Sequence, residues 1–394
     1  MLRWGTRTNI FCLCAGHYTA DYYNSFLPVL LPFIMAKLDM SLTMCGMLVM
    51  VLAFMASSLQ PFVGFFTDQH DSSGWMPAAI SLCGISICMA GMVSGRFMLF
   101  FLCIILGLTV AFIHPVGSAL LGKVGDLKNM GRIMSFYVVG GNLGAAVAPV
   151  SVMFLLDRYG LDVLPLIALP AVVLGVVFYY SGIQRLPSAN AGRSMGSESV
   201  SLARIFRNRS VAMLNIAMGL RCCTHVSVST FLPMLMLSNG ASNVVSGTML
   251  SVFLLGSAIG GFAGGVLGDR FGHKRLMMVS LIMTIFPTWL FFFFPDVGIL
   301  SIMSLFFAGF FVQAPQPSSI VWTGRLIPQY IGVASGMMMG LCFGLGSIGA
   351  AATAALGDII GLEGAMFLSV IPVAMAAILV MLTPYTKAAA NIRI

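Results

Sequence analysis

The sequence predicts an all-α integral membrane protein of twelve transmembrane helices, arranged as two pseudo-symmetric bundles of six. Three observations lead there: a composition that no water-facing surface can carry, long unbroken apolar runs, and a pattern in the first half that returns in the second. The 394 residues are 59% hydrophobic and 8% charged, with a mean hydropathy of +1.00, whereas a soluble domain carries about 25% charged residues. The apolar runs are continuous rather than short and alternating, which selects helices over a β-barrel.

The spans fall at 10–36, 41–67, 75–94, 97–121, 132–156 and 161–183, then at 210–238, 243–267, 275–295, 299–323, 332–356 and 361–383. A short basic stretch, Met1–Asn9, precedes the first. That span is too long for a signal-peptide core and shows no small-residue cleavage site, so it is expected to stay. The amino-terminal tail, the even-to-odd loops and the carboxy-terminal tail hold sixteen of the twenty Lys and Arg residues. The opposite side holds Lys37, Arg96 and Arg158, and Arg221 lies within a span. The positive-inside rule therefore places both termini in the cytoplasm of a cell whose inner (plasma) membrane carries the protein. The net charge of +8 follows this topology, so no nucleic-acid partner is expected. Residues 184–209 are the long polar segment, with Pro187, Gly192 and Gly196 and a basic end, ARIFRNRS. They read as a cytoplasmic linker, whose end could also lie as a short helix on the anionic leaflet. It separates an amino-terminal bundle, 1–183, from a carboxy-terminal bundle and short tail, 210–394. The nine cysteines all fall in apolar runs without metal-site spacing and read as packing thiols. No metal and no cofactor are expected.

The halves repeat. Gly107, His114, Pro115, Gly122 and Lys123 return 202 residues later as Gly309, Gln316, Pro317, Gly324 and Arg325. Phe26-Leu27-Pro28 returns after 205 residues as Phe231-Leu232-Pro233, and GFFTD, ending at Asp68, returns after 201 as GVLGD, ending at Asp269. Six spans plus six around a linker is the layout of parallel-repeat secondary transporters.

Polar groups inside the spans locate the chemistry. His17, Asp21 and Asn24 are spaced i, i+4, i+7 and share one helical face. Asp21 is the carboxylate buried in the membrane, where an ionisable group is expensive and marks a water-filled path or a charge pair. His114 lies in span 4, Arg221 and His225 on one face of span 7, and Gln313 and Gln316 in span 10. Arg221 stays protonated and can fork to a carboxylate, phosphate or phosphonate. Asp21 can take up and release a proton as its surroundings change, which proton coupling requires. A permanent Asp21–Arg221 bridge is the structural alternative. Asp21, His17 and His114 are thus the proton-coupling candidates; Arg221, His225, Asn24, His114, Gln313 and Gln316 are the substrate-binding candidates. An enzyme would need paired catalytic carboxylates, a nucleotide-binding loop or a nucleophile at matching spacing, and the sequence offers none.

After span 8 the chain reads Gly265-Val-Leu-Gly-Asp269-Arg270-Phe-Gly272-His273-Lys274-Arg275. This resembles the G-x3-D-R-x-G-[RK]-[RK]-[RK] signature of the major facilitator superfamily, with His273 at one basic position. The copy at Gly64 and Asp68 lacks the basic residues. The resemblance implies a conformational latch at Asp68, Asp269, Arg270, Lys274 and Arg275, and a central cavity lined by spans 1, 4, 7 and 10. Glycines repeat every four residues at Gly140 and Gly144, at Gly256, Gly260 and Gly264, and at Gly332, Gly336, Gly340 and Gly344. Such stripes let helices approach closely and are expected to form smooth faces on which one half rocks against the other. Gly140-x3-Gly144-x3-Ala148-Pro149 also resembles the span 5 motif of facilitator antiporters, with alanine at its third glycine.

Within the superfamily the chain resembles the fosmidomycin-resistance type. The matching segments are His17-x3-Asp21 with Pro32, SSLQPFVGFFTD at Ser57–Asp68, His114-Pro115, GGNLGAAVAP at Gly140–Pro149, GDRFGHKR at Gly268–Arg275, and Gly332–Asp358. The resemblance implies proton-driven export of a small drug or metabolite, with an anionic, phosphonate-like compound as the candidate. An uptake symporter for a small organic acid would use the same groups. The expected partners are a small-molecule substrate, protons and the lipid bilayer, with the protein acting as a monomer.

Overall fold

The structure is a computed structural model that describes residues 5–69, 72–124, 130–183, 208–327, 334 and 336–385. Among the described residues, eleven helices are long and apolar enough to cross a membrane. They are span 2 (Leu42–Gly64), span 3 (Ser73–Met92), span 4 (Arg96–Leu121), span 5 (Phe136–Tyr159), span 6 (Leu161–Ser181), span 7 (Arg209–Ser238), span 8 (Asn243–Phe271), span 9 (His273–Phe293), span 10 (Ile299–Leu326), span 11 (Met337–Ile360) and span 12 (Leu362–Leu382). Span 1 completes the expected twelve as two helices, Thr6–Asn24 and Phe26–Leu38, that break at Ser25. Pro28 explains the break. It has no N–H for the Asn24 carbonyl four residues back, and its ring crowds that carbonyl. The Ser25 N–H turns back to the carbonyls of Asp21 (3.1 Å) and Tyr22 (3.2 Å). The polar face sits just before this break. The linker expected at 184–209 lies, up to residue 207, outside the described residues.

Large apolar side chains such as Phe97, Phe286, Ile299 and Ile359 stay exposed, as a lipid-facing surface allows, while the backbone polar groups are satisfied inside each helix. The first six spans and the last six meet mainly along two seams, span 5 against span 8 and span 2 against span 11, with a smaller contact between Phe26–Leu38 of span 1 and span 7. Spans 2 and 11 each carry a π turn on their seam, Phe54–Ser58 and Met337–Leu341, and the two turns touch. Ser41 and Ser242 cap spans 2 and 8 by accepting from the N–H groups of Met44 (3.2 Å) and Val245 (3.4 Å). Gly160 and Gly361, with φ of 66° and 83°, end spans 5 and 11.

The glycine stripes correct an expectation. Gly256, Gly260 and Gly264 of span 8 lie against the backbone carbonyls of Phe306, Phe310 and Ala314 of span 10, in the same half. Gly140 and Gly144 of span 5 likewise lie on Cys14 and Tyr18 of span 1. These bare faces hold each half together and are not the surface between halves. A four-residue spacing marks a bare face but does not say which helix covers it. Of the expected set, Gly344 does face the other half, against Ser58. Gly336 and Gly340 sit at the start of span 11, Gly340 inside its π turn, and Gly332 lies outside the described residues. Two further close approaches between halves are at residues that the stripes left out: Gly46 on Ala351 and Ala354, and Gly247 on Pro149 and Met153.

Candidate functional site: two polar clusters at mid-membrane depth

The helical spacing of span 1 brings His17 Nε2 to 3.3 Å from Asp21 Oδ2. Span 4 supplies His114, whose Nε2 is 3.3 Å from the other carboxylate oxygen. One carboxylate is therefore shared by two imidazoles, which meet edge to face with centroids 4.8 Å apart. Span 5 orients the first ring. His17 Nδ1 lies 2.8 Å from the Tyr137 carbonyl oxygen, and the ring stacks on that of Tyr137 at 4.1 Å. A carbonyl can only accept, so Nδ1 carries a hydrogen. The Nε2–Oδ2 contact then closes as a hydrogen bond only with a second proton, on the ring or on the carboxyl. Gly141 leaves room for the pair, since a Cβ there would overlap both His17 and Asp21. Asp21 and His114 keep 21% and 20% of their side chains accessible, although Asp21 sits near the middle of its span. Asn24, one turn on, holds a buried Oδ1 without a hydrogen-bond partner. Among the described residues this trio is the one convergence of His, Cys, Asp or Glu in threes, with ligand atoms within 4.8 Å of one another, a spacing that could also hold a small cation.

The second cluster is in the other half. Arg221 is fully buried. Its Nη1 donates to the Val312 carbonyl (2.8 Å) and to Gln313 Oε1 (2.7 Å). Its Nη2 donates to Gln316 Oε1 (2.7 Å) and lies 2.9 Å from Cys222 Sγ. Span 10 presents these acceptors where its helix is interrupted at Ala314, between Ile299–Gln313 and Pro315–Leu326; Pro315 and Pro317 cannot bond the carbonyls of Phe311 and Gln313. Gln316 is itself fixed, its Nε2 donating to the Met338 carbonyl at 2.7 Å. The guanidinium has five N–H groups, and the fifth, on Nε, is buried without a partner. His225 sits one turn on, its Nε2 3.4 Å from Ser257 Oγ and its Nδ1 buried without a partner. The Phe343 ring of span 11 contacts both residues, with Arg221 Cζ 5.6 Å from its centroid and the His225 ring 5.8 Å away. Among the described residues no carboxylate forms an ion pair with Arg221. The Asp21–Arg221 bridge is therefore absent, and acid and base keep to their own halves.

The structure thus brings His17, Asp21 and His114 together, and Arg221, His225, Gln313 and Gln316 together. It adds Tyr137, Gly141, Ser257 and Phe343, of which the doubled glycine at 140–141 was the one visible signal. The latch residues are placed differently. Lys274 Nζ donates to the Met381 and Thr383 carbonyls (both 2.8 Å), at the carboxy-terminal end of span 12 in its own half, where a cation suits the helix dipole. Asp269 is 76% exposed and 3.8 Å from His273, and Arg270 lies over the Phe271 ring. Among the described residues, Asp269, Arg270, Lys274 and Arg275 make no hydrogen bond to the other half. Asp68 belongs to helix Gln60–Gln69, and its side chain lies outside the described part of the structure.

A family profile for the Major Facilitator Superfamily matches residues 11–238 and 214–393. The chain belongs to this superfamily. It is 28% identical over 371 residues to YfnC, an uncharacterized MFS-type transporter of Bacillus subtilis (strain 168), spanning 89% of this chain and 86% of that one. It is 24% identical over 361 residues to the fosmidomycin resistance protein of Escherichia coli (strain K12), spanning 88% and 86%. Among solved structures, a bacterial homolog of the human lysosomal transporter Spinster, inward-facing and occupied, superposes with a TM-score of 0.75 at 14% identity, covering 95% of this chain and 96% of that one. A D-xylose-proton symporter gives 0.75 at 12%, covering 96% and 98%. At these identities the structures speak for the fold. The superfamily and these relatives are those of membrane transporters.

Proposed function

We propose that this chain exports a small anion, a phosphonate-like drug or metabolite, in exchange for protons. On this reading the halves 1–183 and 210–394 alternate about the linker 184–209 in the cell inner membrane, with both termini in the cytoplasm and the protein acting as a monomer. One observation carries the reading: Arg221 is fully buried and is held by neutral acceptors, with its Nε unpartnered. Burying an ion costs several kcal/mol unless a counter-charge and hydrogen bonds offset it. A bound anion would supply the missing charge and take up the free N–H of Arg221, with the orphan nitrogen of His225 beside it. The His17–Asp21–His114 site is the proton's place, because its central contact needs a proton to close. Proton and anion taken together would give symport; taken in turn they give exchange. We favour exchange on the likeness to the fosmidomycin resistance protein and on the antiporter-like run Gly140–Pro149.

The test is uptake of labelled fosmidomycin by inside-out vesicles under an imposed pH gradient. Acid inside should drive accumulation. Accumulation driven by acid outside would make the protein a symporter, and no response to either gradient would remove proton coupling altogether.

A further inference from the structure

The two seams carry a duplicated device that neither the polar clusters nor the superfamily signature includes. At the end of the bundle remote from the termini, Asp358 closes span 11 and reaches across to the start of span 2. Its Oδ1 accepts from the Leu42 N–H (3.0 Å), and its Oδ2 accepts from the Thr43 N–H (2.8 Å) and hydroxyl (2.6 Å). Leu42 and Thr43 are the first residues of that helix, and Ser41 satisfies the next N–H from within the chain. A carboxylate of one half thus completes the cap of a helix in the other, where unpaired N–H groups and the helix dipole favour negative charge. On the second seam, Asp157 closes span 5 and accepts from Asn243 Nδ2 (3.0 Å) at the start of span 8, behind the Ser242 cap. Two turns further in, the Val150 N–H donates to Ser251 Oγ (3.2 Å) across the same seam.

The two carboxylates are copies. Asp157, Gly160 and Leu161 return 201 residues later as Asp358, Gly361 and Leu362, and Ser41 returns at the same offset as Ser242. Gly160 and Gly361 share the positive φ that ends their helices, so each aspartate stands three residues before an equivalent helix end. Duplication has set a carboxylate of each half against the capped helix start of the other.

We propose that Asp358 and Asp157 are paired clasps that hold this end of the transporter closed, with Asp358 the stronger because it takes three hydrogen bonds where Asp157 takes one. Opening this end requires both to release, so the clasps set the balance between the two access states. This rests on the alternating-access reading but not on the nature of the ligand or on proton coupling. The test therefore uses hydrogen–deuterium exchange on the purified full chain without substrate. Asp358→Ala should at least double early deuterium uptake in the seam segments around Val150 and Ser251, on the opposite seam from the substitution. Asp157→Ala should do the same by a smaller factor, and Asp358→Asn, which keeps one acceptor oxygen, should fall between wild type and Asp358→Ala. Should Asp358→Ala not fold, the Asn variant carries the test. Uptake changes confined to residues 41–45, with the distant seam unchanged, would reduce Asp358 to a local helix cap and overturn the proposal.

Discussion

In the first half, Asp21 is shared by two imidazoles and keeps a fifth of its side chain open to solvent. In the second, Arg221 has no exposed surface and meets two glutamine oxygens, a carbonyl and a thiol. The pseudo-symmetric halves therefore meet the cost of a mid-membrane charge in opposite ways. The acidic cluster can balance itself, because its histidines supply positive charge when protonated and none when not. The basic cluster cannot, because arginine does not release its proton and no neighbour is anionic. On the proposed reading, the difference suits the first cluster to a ligand that comes and goes through water, and the second to one that brings its own negative charge.

The largest expected effect comes from removing the acid. Asn at position 21 keeps the size of the side chain but cannot hold the carboxylate's charge between the two rings. Asp21→Asn should lower gradient-driven fosmidomycin uptake by on the order of 100-fold, equivalent to about 2.7 kcal/mol, while the melting temperature stays within a few degrees. Vesicle uptake and a thermal melt measure the two quantities. Retained pH-driven uptake would take Asp21 out of the mechanism and dissolve the contrast between the clusters.

Much of the frame was legible in the sequence, for reasons that also mark its limits. Hydropathy located all twelve spans because each must bury about 20 residues. Helical spacing put His17 with Asp21, and Arg221 with His225, because neighbours on one helix are fixed by the chain. Partners on other helices were not readable in this way. That the glycines of span 8 lean on span 10, and that Arg221 turns to Gln313 and Gln316 and away from Asp21, depends on how helices rotate about their axes. A 3.6-residue period does not encode that rotation. The break at Ser25 was written locally in Pro28, yet within a long apolar run it looked like one more membrane residue. The clasps were legible in principle, since Asp157 and Asp358 stand at the same offset as Asp68 and Asp269. They were hidden by lying at the loop ends, where charge is ordinary.

A smaller effect separates geometry from charge at the basic cluster. Lysine at 221 keeps the positive charge but loses the planar fork that reaches two glutamines at once. Arg221→Lys should weaken binding of a phosphonate about tenfold, or about 1.4 kcal/mol, and leave a neutral drug's binding unchanged. The stabilisation each compound confers on melting gives the comparison. Equal losses for both would mean that Arg221 serves packing, and the halves would then differ in charge but not in ligand.

The smallest effect on binding is the most discriminating, because two quantities should move in opposite directions. Gln316 joins Arg221 Nη2 to the Met338 carbonyl through both ends of its amide. Gln316→Leu leaves that carbonyl and one guanidinium N–H without partners, which should cost about 1–3 kcal/mol of stability in the unliganded protein. If the glutamine oxygens stand where a substrate anion would otherwise bind, removing one also removes a competitor. The ligand-free melting temperature should then fall, while the added stabilisation by a saturating phosphonate rises by a few-fold in apparent affinity. A glutamine that belongs to the binding site itself predicts the reverse for the second quantity, with affinity falling alongside stability. The two slopes from one titration therefore decide whether the neutral acceptors around Arg221 receive the substrate or give way to it.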